Sequence, residues 1–430
     1  VSDILKNRTL PRACHPLFAG RSPRARNASP VRLCAQHHRP RPAGFRRTAL
    51  EFDWSQDDVQ HRREIRAFLD SELPDNWDEI SQQGPGGDSQ ADFSRHFCAR
   101  MAERGWLTQH WPTEYGGKDC TAWRHAIVGE ELWAIGEPRG SQYMNVNWIG
   151  PAIMRYGRES QKQLHLPRIA AGNVLWCQGF SEPEAGSDLA ALRTSAERHA
   201  DHYIVNGTKI WTSYCHHADY IFLLVRTDPA SSGTRGISVL LVPMDTPGIE
   251  VREIPSVVGE RYFHEVFFSD VTVPADVLLG EEHKGWSVVT YALQFERIGA
   301  ARYARAALTL DTIAAYAREQ GLLDDPMIAD RLGEARALCE AARLLVYRVI
   351  DLRAKGSAPT ADTQLARVLS THCDNAVGRL ALEIFGPHSR PHASFADSNF
   401  RLAMTAGVAV GATEVQLNLI ASRFLELPRE

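Results

Sequence analysis

Two stretches of this 430-residue chain hold side chains whose types and spacing could do chemistry. In the first, an apolar run, Val174 to Cys177, leads through Gln178 into a loop with Phe180, Ser181, Pro183, Gly186 and Ser187. Such a loop can offer backbone N–H groups and small hydroxyl donors to an electron-rich ring or a phosphate. Downstream, Trp211 in the run Thr208-Lys-Ile-Trp-Thr-Ser213 is a flat surface on which a conjugated ring could stack. The same residues also read as one more polar loop and one more core tryptophan. Tyr203-Ile-Val and Thr208-Lys-Ile-Trp flank Asn206-Gly207, so the spacing predicts a β-hairpin closed by a type I′ turn. The second stretch holds Glu296. Its neighbours at helical spacing (Val289, Ala292, Gly299, Ala300, Tyr303) are uncharged, and no basic residue lies three or four positions away. A carboxylate on a small, apolar face is costly to ionise, so its pKa can rise towards that of a general base. The alternative is an ion pair made across the tertiary structure.

Phe180-Ser-Glu-Pro-Glu-Ala-Gly-Ser-Asp188, followed by Asn206-Gly-x-Lys-x-Trp-x-Ser213, closely resembles the FAD-contacting middle domain of the acyl-CoA dehydrogenase family. The resemblance runs from about Glu51 to Arg429. It implies FAD as cofactor and α,β-dehydrogenation of an acyl-CoA thioester, with electrons passing to an electron-transferring flavoprotein. That reaction needs a base for the α proton and a sink for the β hydride, and no side chain accepts hydride. Carried over by position, Gln178, Phe180, Ser181, Gly186 and Thr212 belong to the flavin site, Trp211 flanks the ring, and Ser213 reaches towards N5. Ser187 is expected at the pantetheine or pyrophosphate, and Arg297 on the substrate side. Gly386, Gly411 and Thr413 match loops that approach the dinucleotide from a neighbouring subunit. The family places its base in one of two positions. Val410, before the Gly411-Ala-Thr loop, cannot take a proton, whereas Leu293-Gln-Phe-Glu-Arg297 matches the isovaleryl-CoA dehydrogenase-like position and assigns the role to Glu296.

The chain departs from the family pattern where the dinucleotide is held. Gln320 stands where Arg is usual, a Gly-Gly becomes Gly386-Pro387, and a Gly-Thr-Ser type loop becomes Gly411-Ala-Thr413. A lost charge-assisted phosphate contact costs about 1–3 kcal/mol. The departures open a second reading, a non-catalytic or half-site subunit of a hetero-oligomer. A third is a flavin monooxygenase or oxidase on the same scaffold. The resemblance otherwise implies a homodimer or homotetramer, since the family shares its FAD site between subunits.

The elements that must position these residues follow from periodicity. Residues 51–173 read as helices: one opening at Asp57-Asp58 and ending before Pro74, then Gln90–Gly105, Thr121–Ile135, Trp148–Tyr156 and Glu159–Ala171. From 174 to 285 the period is two, with strands at Tyr220–Arg226, Gly236–Pro243, Ile249–Ile254 and His264–Phe268, indicating a small barrel or sandwich. From 286 to 430 long helices return: Trp286–Gln320, Met327–Lys355, Thr360–Phe385 and Ala406–Leu425, a four-helix-type bundle. The fold class is therefore mainly α with an inserted β domain.

Bulk properties bound the function. Residues 1–50 carry ten Arg and one Lys against one Asp, +10, which leaves −14 for the remainder of a chain whose net charge is −4. That basic segment lacks periodicity and reads as a disordered or non-native extension, or as a targeting peptide. An acidic body does not point to nucleic acid, and no apolar run approaches the ~20 residues of a membrane span. Eight scattered cysteines without a C-x-x-C pair argue against a zinc site or disulfide framework and fit a reducing cytoplasm.

Overall fold

The computed structural model describes residues 54–82, 87–258, 262–299, 301–357, 361–388, 393–408 and 411–428. Residues 1–53, Val410 and the side chains of Glu296 and Arg297 lie outside the described residues, although the backbone of the last two belongs to a helix.

The first helices form where apolar residues recur at helical spacing behind a capping side chain. Helix α1 (Gln56–Glu72) starts at Ser55, whose hydroxyl accepts from the Asp58 amide at 3.1 Å, and buries His61, Ile65, Phe68 and Leu69. Next come α2 (Trp77–Ser81), α3 (Asp88–Glu103) and α4 (Ala122–Ala134), the last capped by Thr121. Helix α5 (Gln142–Met144) passes through a π-turn, Asn145–Ile149, into α6 (Gly150–Tyr156), so helical structure begins before the expected Trp148. Helix α7 (Glu159–Ala170) ends at Gly172, which has φ +70°; a Cβ there would lie 2.7 Å from the Cys98 carbonyl carbon.

Strands β1 (Trp176–Gly179), β2 (Ser195–Arg198), β3 (His202–Ser213), β4 (Tyr220–Arg226), β5 (Ile237–Pro243), β6 (Ile249–Ile254), β7 (Phe263–Pro274) and β8 (Leu278–Leu279) follow. They form one sheet in the order β6-β7-β3-β2-β4-β5-β8, with β1 parallel to β4. Buried residues of β3 and β7 (Tyr203, Val205, Val266, Phe268) meet those of β4 and β5 (Ile221, Leu223, Leu240, Val242) in one cluster, so the sheet folds over on itself. The alternate residues of β4 and β5, Phe222, Leu224, Val239 and Leu241, join the core of the first helices. Both faces of these strands are covered, which explains their unbroken apolar runs.

The expected hairpin at Asn206-Gly207 is absent. β3 is one strand, and β7 pairs with both of its halves. The register shifts between Val205 and Gly207, where Gly207 takes φ +147°; Asn206 is tied to Asp270 by Nδ2→Oδ1 at 3.0 Å and by the Asp270 amide to Oδ1 at 2.8 Å. Asn-Gly therefore makes a bulge, and the true reversal is the short connection between β2 and β3.

Helix α8 (Gly285–Gly299) is followed by α9 (Arg302–Glu319), not by one continuous helix to Gln320: Ala301 has φ −76° and ψ 55°, outside helical values. Tyr303 consequently lies on a different helix from Glu296. Helix α10 (Pro326–Ala354) is capped by Asp325; α11 (Asp362–His388) runs past Gly386, where the expected stop is overridden by packing of Ala381, Ile384 and Phe385. Helix α12 (Ala393–Thr405) is an additional element, and the last, α13 (Thr413–Arg423), starts later than the expected Ala406. One carboxylate joins the first helices to the last: Glu130 of α4 accepts from Arg62 of α1 at 2.6 Å, from the Tyr303 hydroxyl of α9 at 2.6 Å and from the Tyr347 hydroxyl of α10 at 2.6 Å. No helix among the described residues is long and apolar enough to cross a membrane.

Candidate active site

The loop after β1 is fastened to β3 by a buried ion pair. Lys209 is wholly buried; its Nζ donates to Glu182 Oε1 at 2.7 Å and to the Phe180 carbonyl at 3.1 Å. Glu182 also accepts from the amides of Arg193 (2.6 Å) and Thr194 (2.9 Å), and the Ile210 amide donates to the Ser181 carbonyl at 2.9 Å. Burial pulls the Lys209 ammonium down to about 8, against the opposing pull of Glu182. Burial works against the Glu182 charge too, but Lys209 and the amide hydrogen bonds hold that carboxyl below its ordinary value. Both groups are charged at neutral pH, and with four donors on one carboxylate and carbonyl cluster the loop has a fixed shape.

That fixed loop lies beside an outward-facing indole. Trp211 takes φ +58° at a register irregularity between Lys209 and Thr212, leaves 54% of its surface exposed, and meets the Phe263 ring edge-on at 5.8 Å. Thr212 is buried, and its Oγ1 has no hydrogen-bond partner among the described residues; the same holds for Gln178 Nε2 on β1. Phe180 is half-buried, its ring 6.0 Å from that of Phe222, and Ser181 and Ser213 are half-buried. A flat exposed indole, unengaged polar atoms and a rigid loop edge fit the conjugated ring of a flavin. Gly186 and Ser187 are exposed at the loop's far end; a Cβ on Gly186 would meet nothing within 4 Å, so no steric contact demands glycine there.

The remaining expected residues lie in the last helices. Gly386 is exposed on α11, Gly411 takes φ +86°, and the Thr413 amide opens α13 by donating to the Gly407 carbonyl at 3.1 Å. No hydrogen bond, ion pair or ring contact among the described residues links these three to the loop or to β3. Gln320 is exposed at the end of α9. Glu296 and Arg297 are placed by backbone alone, on α8, whose Val288, Val289 and Ala292 enter the core of the first helices.

Other groups near this region escaped the sequence reading. Tyr143 stands edge-on to Trp133 and to Trp148, both at 5.3 Å; the Arg302 guanidinium lies 5.7 Å over Trp133 and pairs with Asp374 at 3.3 Å. The Nε1 atoms of Trp133 and Trp148 are buried without a hydrogen-bond partner among the described residues. Lys209 carried a signal that could have been used: on a strand whose inward positions are apolar, a lysine in phase with Val205 must bring its own counter-ion.

Sequence models of the acyl-CoA dehydrogenase N-terminal, middle and C-terminal domains match residues 55–173, 177–271 and 283–425. The chain is 33% identical over 390 residues to acyl-CoA dehydrogenase IpdE1 of Mycobacterium tuberculosis, covering 87% of this chain and 99% of that one. It is 32% identical to acyl-CoA dehydrogenase FadE26 of the same organism, over 88% and 99% of the two chains. Among solved structures, the Tcur3481-Tcur3483 steroid ACAD superposes with TM-score 0.82 at 31% identity, over 89% of this chain and 100% of that one. The ChsE4-ChsE5 complex from Mycobacterium tuberculosis does so with TM-score 0.79, also at 31% identity and over 89% and 100%.

Proposed function

Because the chain belongs to the acyl-CoA dehydrogenase family, an FAD-binding family of oxidoreductases, we propose that it desaturates an acyl-CoA thioester between Cα and Cβ to the trans-2-enoyl-CoA, passing electrons to an electron-transferring flavoprotein. The observation that carries this reading is the loop of residues 180–188, clamped by Lys209 and tied through the Ser181 carbonyl to Ile210, the residue before the exposed Trp211. Bound FAD supplies the acceptor for the β hydride. Trp211, Phe180, Ser181 and Ser213 hold its ring; Gln178, Gly186 and Thr212 complete that edge. Ser187 engages the CoA moiety, and Glu296, with Arg297 beside it, accepts the α proton. We favour a fused-ring, steroid-like acyl group as the substrate class, because a solved relative, seen as parent and as variant, is described as a steroid ACAD. We place the protein in the cytoplasm.

Flavin absorbance tests the base. Glu296→Gln keeps the size of the side chain and removes its basicity, so mixing with a bleaching acyl-CoA should show flavin reduction slowed by about 100-fold or more with FAD still bound. Bleaching at the parent rate would remove Glu296 from the mechanism.

A specific observation favours a hetero-oligomer in which another chain completes the dinucleotide site. Gln320 offers no charge at the end of α9, Gly386-Pro387 and Gly411-Ala-Thr413 depart from the family loops, and solved relatives are described by paired names. Purified by itself the chain should hold little FAD; co-expressed with a homologue bearing Arg at the position of Gln320, it should purify yellow with one flavin for each such pair of chains. A yellow homo-oligomer with one FAD in every subunit would oppose this assembly and leave the chemistry intact.

A further inference from the structure

We propose that Asp88, His216 and His217 form a binding site for a divalent transition-metal ion of the zinc class, separate from the flavin-facing segment. The three side chains come from two distant places. Asp88 is the first residue of α3, and the histidines lie in the single 3-10 turn Cys215–His217 that follows β3. Nε2 of His216 lies 2.6 Å from Asp88 Oδ1, and Nε2 of His217 lies 2.9 Å from the same oxygen. One ligand atom from each residue falls within 4.8 Å of the others. A tetrahedral zinc with bonds of roughly 2.0–2.2 Å sets neighbouring ligand atoms about 3.3 Å apart. The two Asp88 contacts reach that spacing by lengthening less than an ångström, and the histidine nitrogens already lie within 4.8 Å of each other. Two imidazoles and one carboxylate are borderline ligands, suited to zinc or cobalt rather than to magnesium or calcium, and the remaining coordination position falls to water.

The turn that carries the histidines is held from several sides. Arg95 of α3 donates to the His217 carbonyl at 3.2 Å and pairs with Asp219 at 3.3 Å, while Asp219 accepts from the Leu175 amide at 2.7 Å. The His264 ring of β7 packs 4.3 Å from that of His216. His216 also lines a cavity of about 550 Å³ shared with His264, Glu253 and Asp245, which gives water and ions a route to it. Without metal, the two imidazoles and Asp88 form a hydrogen-bonded clamp between α3 and the turn. With metal, the same clamp becomes coordinate bonds immediately after Trp211–Ser213. Cysteine spacing could not reveal such a site, because it contains no cysteine.

The test uses chelator-treated protein, in whatever flavin state it purifies, titrated with Co2+, whose visible ligand-field absorption reports coordination number. One equivalent should bind with the spectrum of a four- or five-coordinate site, Zn2+ should displace it, and Zn2+ should raise the melting temperature. His217→Gln keeps a side-chain N–H for Asp88 and removes the imidazole; Asp88→Asn keeps the oxygen acceptor and removes the charge. Each should lower Co2+ affinity by more than about 100-fold, beyond the 10- to 100-fold effect of outer-shell changes, while metal-free stability stays near the parent's. Co2+ affinity unchanged in both variants would place the ion at other histidines and overturn the assignment. Failure of the parent protein to bind a stoichiometric equivalent would reduce the trio to a hydrogen-bonded clamp, and that result stands whether or not the variants fold.

Discussion

At the residue scale the site depends on a lysine that the reaction does not consume. Lys209 is buried opposite Glu182, and the pair shapes the loop that carries Phe180 and Ser181. Lys209→Met removes the cation and leaves the carboxylate buried with only amide donors. Breaking a buried pair from one side costs about 3–5 kcal/mol, so the urea midpoint should fall accordingly and flavin should be lost with it. A change below about 1 kcal/mol would show that the amides of Arg193 and Thr194 suffice. Trp211 and Glu296 were readable as letters of a motif, whereas the Lys209–Glu182 partnership was not. The two are far apart in sequence, and only the folded sheet shows that the lysine points inward.

At the scale of elements, β3 shows where local signals mislead. Asn-Gly between alternating apolar residues is a strong hairpin signal, yet β7 offers a partner along both halves of the strand, and Asn206 spends its side chain on Asp270. Pairing with a long neighbour outweighs a two-residue turn preference. Gly207→Ala tests the bulge: the added Cβ would lie 2.6 Å from Thr194 Oγ1 and 2.7 Å from Thr194 Cα, at a φ that side chains rarely adopt. Overpacking of this kind costs about 1–3 kcal/mol, measurable as a lower urea midpoint; an unchanged midpoint would mean that β2 yields freely. The helices of the first segment were legible because Asp57-Asp58 and Thr121 mark starts and Pro74 a stop, although the side chain that caps the first is Ser55. The break between α8 and α9 was not, because Gly299-Ala-Ala301 is compatible in sequence with continuing a helix, whereas Ala301 takes ψ 55°.

At the scale of the whole molecule, the order of helices, sheet and helical bundle was carried by the change of hydrophobic period, which survives local error. The dinucleotide half of the site was legible only as departures from a pattern, since its partners depend on chains outside this sequence. Histidines set the acid response. Burial lowers His61, His125 and His165 from 6.5 to about 4; around His125, Asn147 opposes the shift and Arg139 adds to it. Between these values the unfolded chain binds protons that the folded chain refuses, so stability falls as pH drops from 6.5 towards 4. Urea midpoints taken across that interval should decline steadily; a flat profile would mean that these imidazoles protonate in place.

The junction at Glu130 bears on how the chain comes into being. Its hydroxyl donors, Tyr303 and Tyr347, lie 173 and 217 positions further along the polypeptide. On the ribosome the leading helices must wait, with an anion half-answered by Arg62, until the distant tyrosines emerge. An expressed fragment that stops short of them should be a substrate for chaperones and proteases rather than a free-standing piece.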